Sequence, residues 1–372
     1  MPIFRRLAAA ALIAAGLVCS LHAQSSDPAA ERGFAALQRG DADAAAAVFQ
    51  SALALRPRDA VLLYGAGLAA NLQGRDDDAA RLLKRAVEAE PRLTPAALAL
   101  GEIAYRRGDL DLAVRTYEQV LAQAPSNLAV RARLDAWRAE ADVEGRFEAF
   151  KDDRFTIMFS GPAQHQLAAH ATKTMGAAFF KIAAALGSAP SAPIRVVLYT
   201  ERQFQDITGA PEWAGGGFDG QIRMPLGGAS QNLPEFDRVL THELTHAMVH
   251  AVAPRNVPAW LHEGLAMRFE PHDAAAARRM LADAHVFVPL ASLQEGFTRL
   301  NAVQAAVAYE ESAFAASVLV DRIGSQGLAA LLQDLSAGQT VEQAIERFGF
   351  TLAAFESDLS RRVGAQPSAR RR

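Results

Sequence analysis

The stretch RVLTHELTHAMVHAVAPRNVPAWLHEGLAMRF, residues 238–269, holds four of the nine histidines and two glutamates. Leu233 to Val252 reads as one helix, with Pro234 in the first turn, where its missing N–H costs nothing. Pro254 and Pro258 must break that helix, and AWLHEGLAMRF starts a second one that can fold back on the first. His242 and His246 stand four residues apart, so they stack on one face. Two imidazoles so placed can reach a single ion at about 2.0–2.1 Å. Glu243 is turned about 100° from His242, so its carboxylate would reach a water rather than the ion, as a general base must. The plainer alternative is a pair of amphipathic helices carrying surface histidines.

A catalytic zinc needs a third protein ligand and an open fourth position. Glu263 is the leading candidate, brought beside the two histidines by the second helix. His250 and His262 compete for that place. His250 continues the four-residue series but lies about 12 Å of helical rise from His242, and His262 points about 100° away from its neighbour Glu263.

Upstream of this stretch the pattern is that of a small sheet. RFTIMFS alternates Phe155, Ile157 and Phe159 on one side, as a half-buried strand does. A helix runs from about residue 163 to a C-cap at Gly187, and IRVVLYT (194–200) is a second strand. QIRMPL (221–226) is a short third strand, and Pro225 predicts that it lies at an edge. There an extended substrate could pair with it, and Arg223 reads as a solvent-facing strand residue. A glycine-rich loop, with glycines at 215–217 and 220, precedes it. From Pro234 onward almost everything reads as helical. The second half of the chain is therefore α+β, a sheet followed by a helical half.

The first half repeats. Pro57, Pro91 and Pro125 are 34 apart, as are Gly33, Gly67 and Gly101, then Gly40, Gly74 and Gly108, then Ala45, Ala79 and Ala113. Phe49, Leu83 and Tyr117 make a further column. Small residues suit close helix crossings, the Gly40 column suits a tight turn, and the prolines stop helices between repeats. Three repeats cover about residues 26–127, and LAVRARLDAWRAEADVE would cap the last one. The 34-residue period resembles the tetratricopeptide repeat, which implies a face for protein partners.

The N-terminus, MPIFRR followed by LAAAALIAAGLV, has the layout of a secretory signal peptide cleaved after Ala23. Twelve apolar residues are too few to span a bilayer, which needs about 20. Cys19 raises a lipoprotein alternative, disfavoured by Val18 before it. It is the chain's single cysteine, so a mature chain starting at residue 24 has no disulfide chemistry. The expected location is a bacterial periplasm. The net charge of −3 points to neither nucleic acid nor an anionic membrane, and no other segment reads as transmembrane.

HELTH followed by WLHEGLA resembles the gluzincin metallopeptidases, in which HExxH is followed on a second helix by a ligand glutamate. Residues 145–363, with IRVVLY, GQIRMPL, VLTHELTHAMV, VPAWLHEGLA and AYEESAFAASVLVDRIG, are similar in layout to the peptidase MA-like domains often fused to tetratricopeptide repeats. The spacing from His246 to Glu263 is slightly shorter than in thermolysin-type members. The resemblance implies Zn2+ held by His242, His246 and Glu263, Glu243 as general base, and peptide-bond hydrolysis. Tyr309 is the candidate stabiliser of the oxyanion, against a reading as a packed tyrosine.

The expected architecture is thus an α-solenoid of three helix pairs followed by an α+β, thermolysin-like zinc peptidase domain. Its divisions are a signal peptide at 1–23, the repeat array with its cap at 24–144, the peptidase domain at 145–363 and a disordered basic tail at 364–372. The expected function is an exported zinc metallopeptidase whose repeats recruit a protein substrate or partner. The competing reading is a periplasmic repeat scaffold with an inactive peptidase-like domain. A hydrolase acting on a non-peptide amide shares the same site chemistry.

Overall fold

The computed structural model describes residues 27–211, 214–271, 281, 286–297, 300–364 and 366–367. The expected signal segment with Cys19 lies outside them, as do residues 368–372 of the tail.

Three successive helix pairs open the chain: α1 (Pro28–Gln38) with α2 (Ala42–Leu55), α3 (Ala60–Leu72) with α4 (Asp76–Ala89), and α5 (Thr94–Arg106) with α6 (Leu110–Gln123). Side-chain carboxylates of Asp27, Asp41, Asp59 and Asp109 accept the free N–H groups at four of their N-termini, the expected use of Asp before a helix. The 34-residue columns prove to be one contact made three times. A Cβ on Gly33, Gly67 or Gly101 would lie 2.4, 2.7 or 2.5 Å from Phe49, Leu83 or Tyr117 of the same repeat. Only glycine leaves room for that crossing. Gly40, Gly74 and Gly108 sit at φ 75°, 71° and 76° in the turns within each pair, where a side chain would be strained.

Helix α7 (Leu128–Glu144) covers the last pair, burying Val130, Leu134 and Trp137, and Tyr105 stacks on Trp137 with ring centroids 5.0 Å apart. Its last turn also buries Glu140 and Glu144. That end of the helix faces the second domain, not water.

There β1 (Glu148–Lys151), β2 (Phe155–Phe159), β3 (Ile194–Tyr199), β4 (Gly217–Phe218) and β5 (Ile222–Pro225) form one sheet in the order β1-β2-β3-β5-β4. β2, β3 and β5 are parallel, while β1 and β4 pair antiparallel at the two edges. Helix α8 (His165–Leu186) lays Ala168, Met175 and Phe179 into the same core as Phe155, Ile157 and Phe159 and ends at Gly187 with φ 69°. The short α9 (Glu201–Thr208) follows β3. Next come α10 (Leu233–Val252) and α11 (Ala259–Phe269). The long α12 (Ala302–Ser336) is interrupted at Gly324, and α13 (Val341–Glu346) and α14 (Leu352–Val363) complete the helical half. Within the segment read as a tail, Gln366–Pro367 pairs with Val286–Phe287.

Two expectations from the sequence are corrected. The strand around 221–226 is not at an edge, since β5 has β3 on one side and the two-residue β4 on the other. Pro225 closes the strand at the Tyr199 register, beyond the span paired with β4, so its missing N–H breaks no interior ladder. Arg223 does not face solvent. It is 2% exposed, because the repeat array covers that face of the sheet and supplies acceptors for its guanidinium.

Candidate metal centre

Helices α10 and α11 cross as their sequence demands. Pro254 and Pro258 end the first and start the second, and Trp260, fully buried, packs in the shared core. Gly264 allows α11 to lie directly on α12, since a Cβ there would come within 2.1 Å of the Ser312 carbonyl oxygen. Glu263, the preceding residue, is thereby aimed at α10.

His242, His246 and Glu263 each offer one ligand atom to a common point. The two Nε2 atoms are 3.0 Å apart, and Glu263 Oε2 lies 3.5 Å from His242 Nε2 and 3.4 Å from His246 Nε2. Ligands about 2.0–2.1 Å from a tetrahedral zinc are separated by about 3.3–3.4 Å, so the spacing fits such an ion. Glu263 Oε2 is buried and has no hydrogen-bond partner. A buried, unpartnered carboxylate oxygen is costly unless something else satisfies it, and a divalent cation would do so.

The outer ring nitrogens are already engaged. His242 Nδ1 lies 3.0 Å from Glu270 Oε2, which also accepts from Arg238 at 2.8 Å. Glu270 is buried just past the end of α11. His246 Nδ1 lies 2.6 Å from His262 Nδ1, with ring planes 11° apart. Burial holds His262 well below the usual imidazole range, so it stays neutral, and in the tautomer protonated at Nε2 its Nδ1 accepts from His246 Nδ1. With both Nδ1 positions engaged, it is the two Nε2 atoms that face the point where an ion would sit.

Neither Glu270 nor His262 was assigned this role from the sequence. A partial signal existed, because Arg238 precedes His242 by four residues and so shares the face of His242 and His246. His250 continues that face, but its ring lies 5.5 Å from Phe218 and it is not among the converging residues.

Protonation completes the description. Burial alone would lower His242, but the adjoining carboxylates of Glu263 and Glu270 outweigh that and push it up to about 10. Burial would raise Glu263, but His246 and His242 pull it well below the usual carboxylate range. The cluster therefore holds a proton that a cation must displace on binding. Burial raises Glu243 against the opposing pull of His246 and His242, as suits a base that must take and return a proton. Tyr309 packs its ring edge-on to Phe297 at 4.8 Å. Burial first, then the charges of Glu263 and Glu243, raise its phenol, so it remains a neutral donor beside the site. His170 of α8 is half-buried and 2.7 Å from Asp237 of α10, bracing α10 against α8.

A helical repeat array followed by a mixed-sheet domain with a His-His-Glu cluster defines the class. Residues 174–364 match the Peptidase MA superfamily, and the chain belongs to that family. Residues 31–97, 77–127 and 98–150 match the tetratricopeptide repeat. A curated relative, the Hsp70-Hsp90 organizing protein of Triticum aestivum, is 33% identical over 138 residues, which is 37% of this chain and 24% of that protein. The chain thus spans about a quarter of that relative. Among the described residues, no helix is long and apolar enough to cross a membrane.

Proposed function

We propose that the chain is an exported zinc metallopeptidase that hydrolyses peptide bonds, its repeats engaging a protein substrate or partner. The observation that carries this reading is the convergence of His242, His246 and Glu263 on one point, with a buried Glu263 oxygen that makes no hydrogen bond and Glu243 buried beside them. Zinc held by these three residues would polarise the scissile carbonyl and acidify the attacking water. Glu243 takes the proton of that water as its oxygen adds to the carbonyl carbon. It then gives the proton to the leaving nitrogen as the C–N bond breaks. Tyr309 donates a hydrogen bond to the oxyanion. Glu270 and His262 hold the two imidazoles in register. Export rests on the N-terminal segment, and a periplasmic mature protein beginning at Gln24 is the expected product.

With denatured casein as substrate, Glu243→Gln should keep its zinc while cleavage falls about 10²–10⁴-fold. Normal cleavage by that variant would contradict the mechanism. The repeat match supports a second reading, a scaffold whose peptidase domain binds without cleaving. Zinc-loaded wild type that leaves casein and unfolded peptides intact would favour it.

A further inference from the structure

A second buried polar cluster lies where the repeat array meets the sheet. The Arg223 guanidinium, on β5, donates to Glu140 of α7 at 2.5 Å, Tyr199 Oη of β3 at 2.7 Å, Asp219 at 3.0 Å and Tyr105 Oη of α5 at 3.2 Å. Tyr105 donates to Glu140 at 3.0 Å, Tyr199 donates to Glu144, and Arg195 donates to Glu144 at 2.6 Å. The Gln221 amide donates to the Tyr105 carbonyl at 3.0 Å. The two backbones also come close, since a Cβ on Gly220 would lie 2.6 Å from the Arg106 carbonyl oxygen. Buried charges persist only where they are paired, so this contact has one register.

The cluster holds the sheet edge that runs along the metal helix. β4 hangs on β5 through Gly217↔Arg223 and Phe218↔Ile222. Gly215 and Gly216 each lie against Val239, with Cβ positions 3.2 Å from its methyl groups, and Phe218 lies 5.5 Å from His250. This edge therefore follows α10 from Val239 toward His250, past His242 and His246. An extended chain added to the open side of β4 would run by the metal centre and meet the array where Gly220 abuts Arg106.

We propose that Arg223 is a positioning residue that ties the β4–β5 edge to the repeat array, making the array a fixed wall of the substrate groove. That the groove takes substrate rests on the peptidase reading; the tie does not. A second contact keeps the domains docked independently. Pro254 fills the space at Gly74, where a Cβ would lie 2.2 Å away, and Arg255, held by the Ser336 carbonyl of its own domain, pairs with Asp43 of the array at 3.4 Å. Weakening the array partners of Arg223 should thus loosen the edge without separating the domains.

Hydrogen–deuterium exchange on the zinc-loaded full chain tests this from the array side, with Glu140→Gln and Tyr105→Phe. Amides of 217–224 should exchange at least about 10-fold faster, with α10 and α11 within about 2-fold of wild type. Unchanged exchange at 217–224, or acceleration spread equally over α10 and α11, would overturn the proposal. Tyr105→Phe keeps the ring on Trp137 and decides the matter if Glu140→Gln does not fold. With denatured casein, the same variants should raise KM at least about 5-fold and leave kcat within about 2-fold. A lower kcat at unchanged KM would overturn the positioning role. If wild type cleaves no casein, the peptidase reading fails and the exchange result still decides the tie.

Discussion

Two buried polar clusters can be set side by side. Around Arg223, all three guanidinium nitrogens find acceptors within the chain. Around His242, His246 and Glu263, the outer nitrogens are satisfied, but the inner atoms face one another and Glu263 Oε2 meets only the two Nε2 atoms, at 3.5 and 3.4 Å, without a hydrogen bond. Both clusters hold residues that burial penalises. Burial of ionisable groups therefore does not by itself mark a functional centre. What separates the two is how their central charges are met. The Arg223 guanidinium is fully paired within the chain and joins two domains, although Arg195 Nε and Gln221 Oε1 beside it have no hydrogen-bond partner. The histidine cluster instead brings three ligand atoms together at a spacing that fits a zinc ion.

The sharpest test of this contrast is to remove the paired guanidinium. Arg223→Met leaves Glu140 and Asp219 without their cation, and breaking a buried pair in this way costs about 3–5 kcal/mol. Denaturant unfolding of the zinc-loaded chain should show a loss of that size while the folded fraction keeps its zinc. A stability change below about 1 kcal/mol would mean that the cluster is no better than a surface pair. Next in size is the outer support of the metal centre. Glu270→Gln removes the carboxylate behind His242, and outer partners of this kind are worth about 10–100-fold in metal affinity. Competition with a zinc chelator measures it, and unchanged affinity would reduce Glu270 to a partner of Arg238.

The smallest effect per pH unit concerns another buried acid, Glu311 on α12. Its Oε2 accepts the Val288 N–H at 2.9 Å, and burial pushes its carboxyl up to about 8. The folded chain keeps that proton up to about pH 8, whereas the unfolded chain releases it near 4.5. Between those values the folded state binds more protons. Stability should therefore fall as pH rises through that window, by at most about 1.4 kcal/mol per pH unit. Glu311→Gln should flatten this part of the pH–stability curve; an unchanged slope would assign it to other groups.

The sequence was legible where its signals are local. The 34-residue columns carry the repeat because each glycine meets a bulky residue of its own repeat, sixteen positions on, as Gly33 meets Phe49. The limits of α7 follow from Asn127, which caps its start, and the α10–α11 break follows from two prolines. His242, His246 and Glu263 were readable because helical spacing and a single fold-back fix their meeting. What stayed hidden depends on distant partners. Arg223 looks like a strand's surface residue until Glu140, 83 positions earlier, is folded onto it. The interior place of β5 depends on β4, two residues drawn from a glycine-rich loop. Glu270 acts only through a helix end that no local pattern aims at His242.

The central claim is that His242, His246 and Glu263 form a zinc site. The direct measurement is the metal content of purified residues 24–372 after zinc loading and removal of excess metal, beside that of Glu263→Ala. The account predicts one zinc per wild-type chain, and in the variant an affinity lower by more than about 100-fold, beyond the loss expected for an outer partner. A wild-type chain that retains no zinc, or a variant that binds it as tightly as wild type, would contradict it.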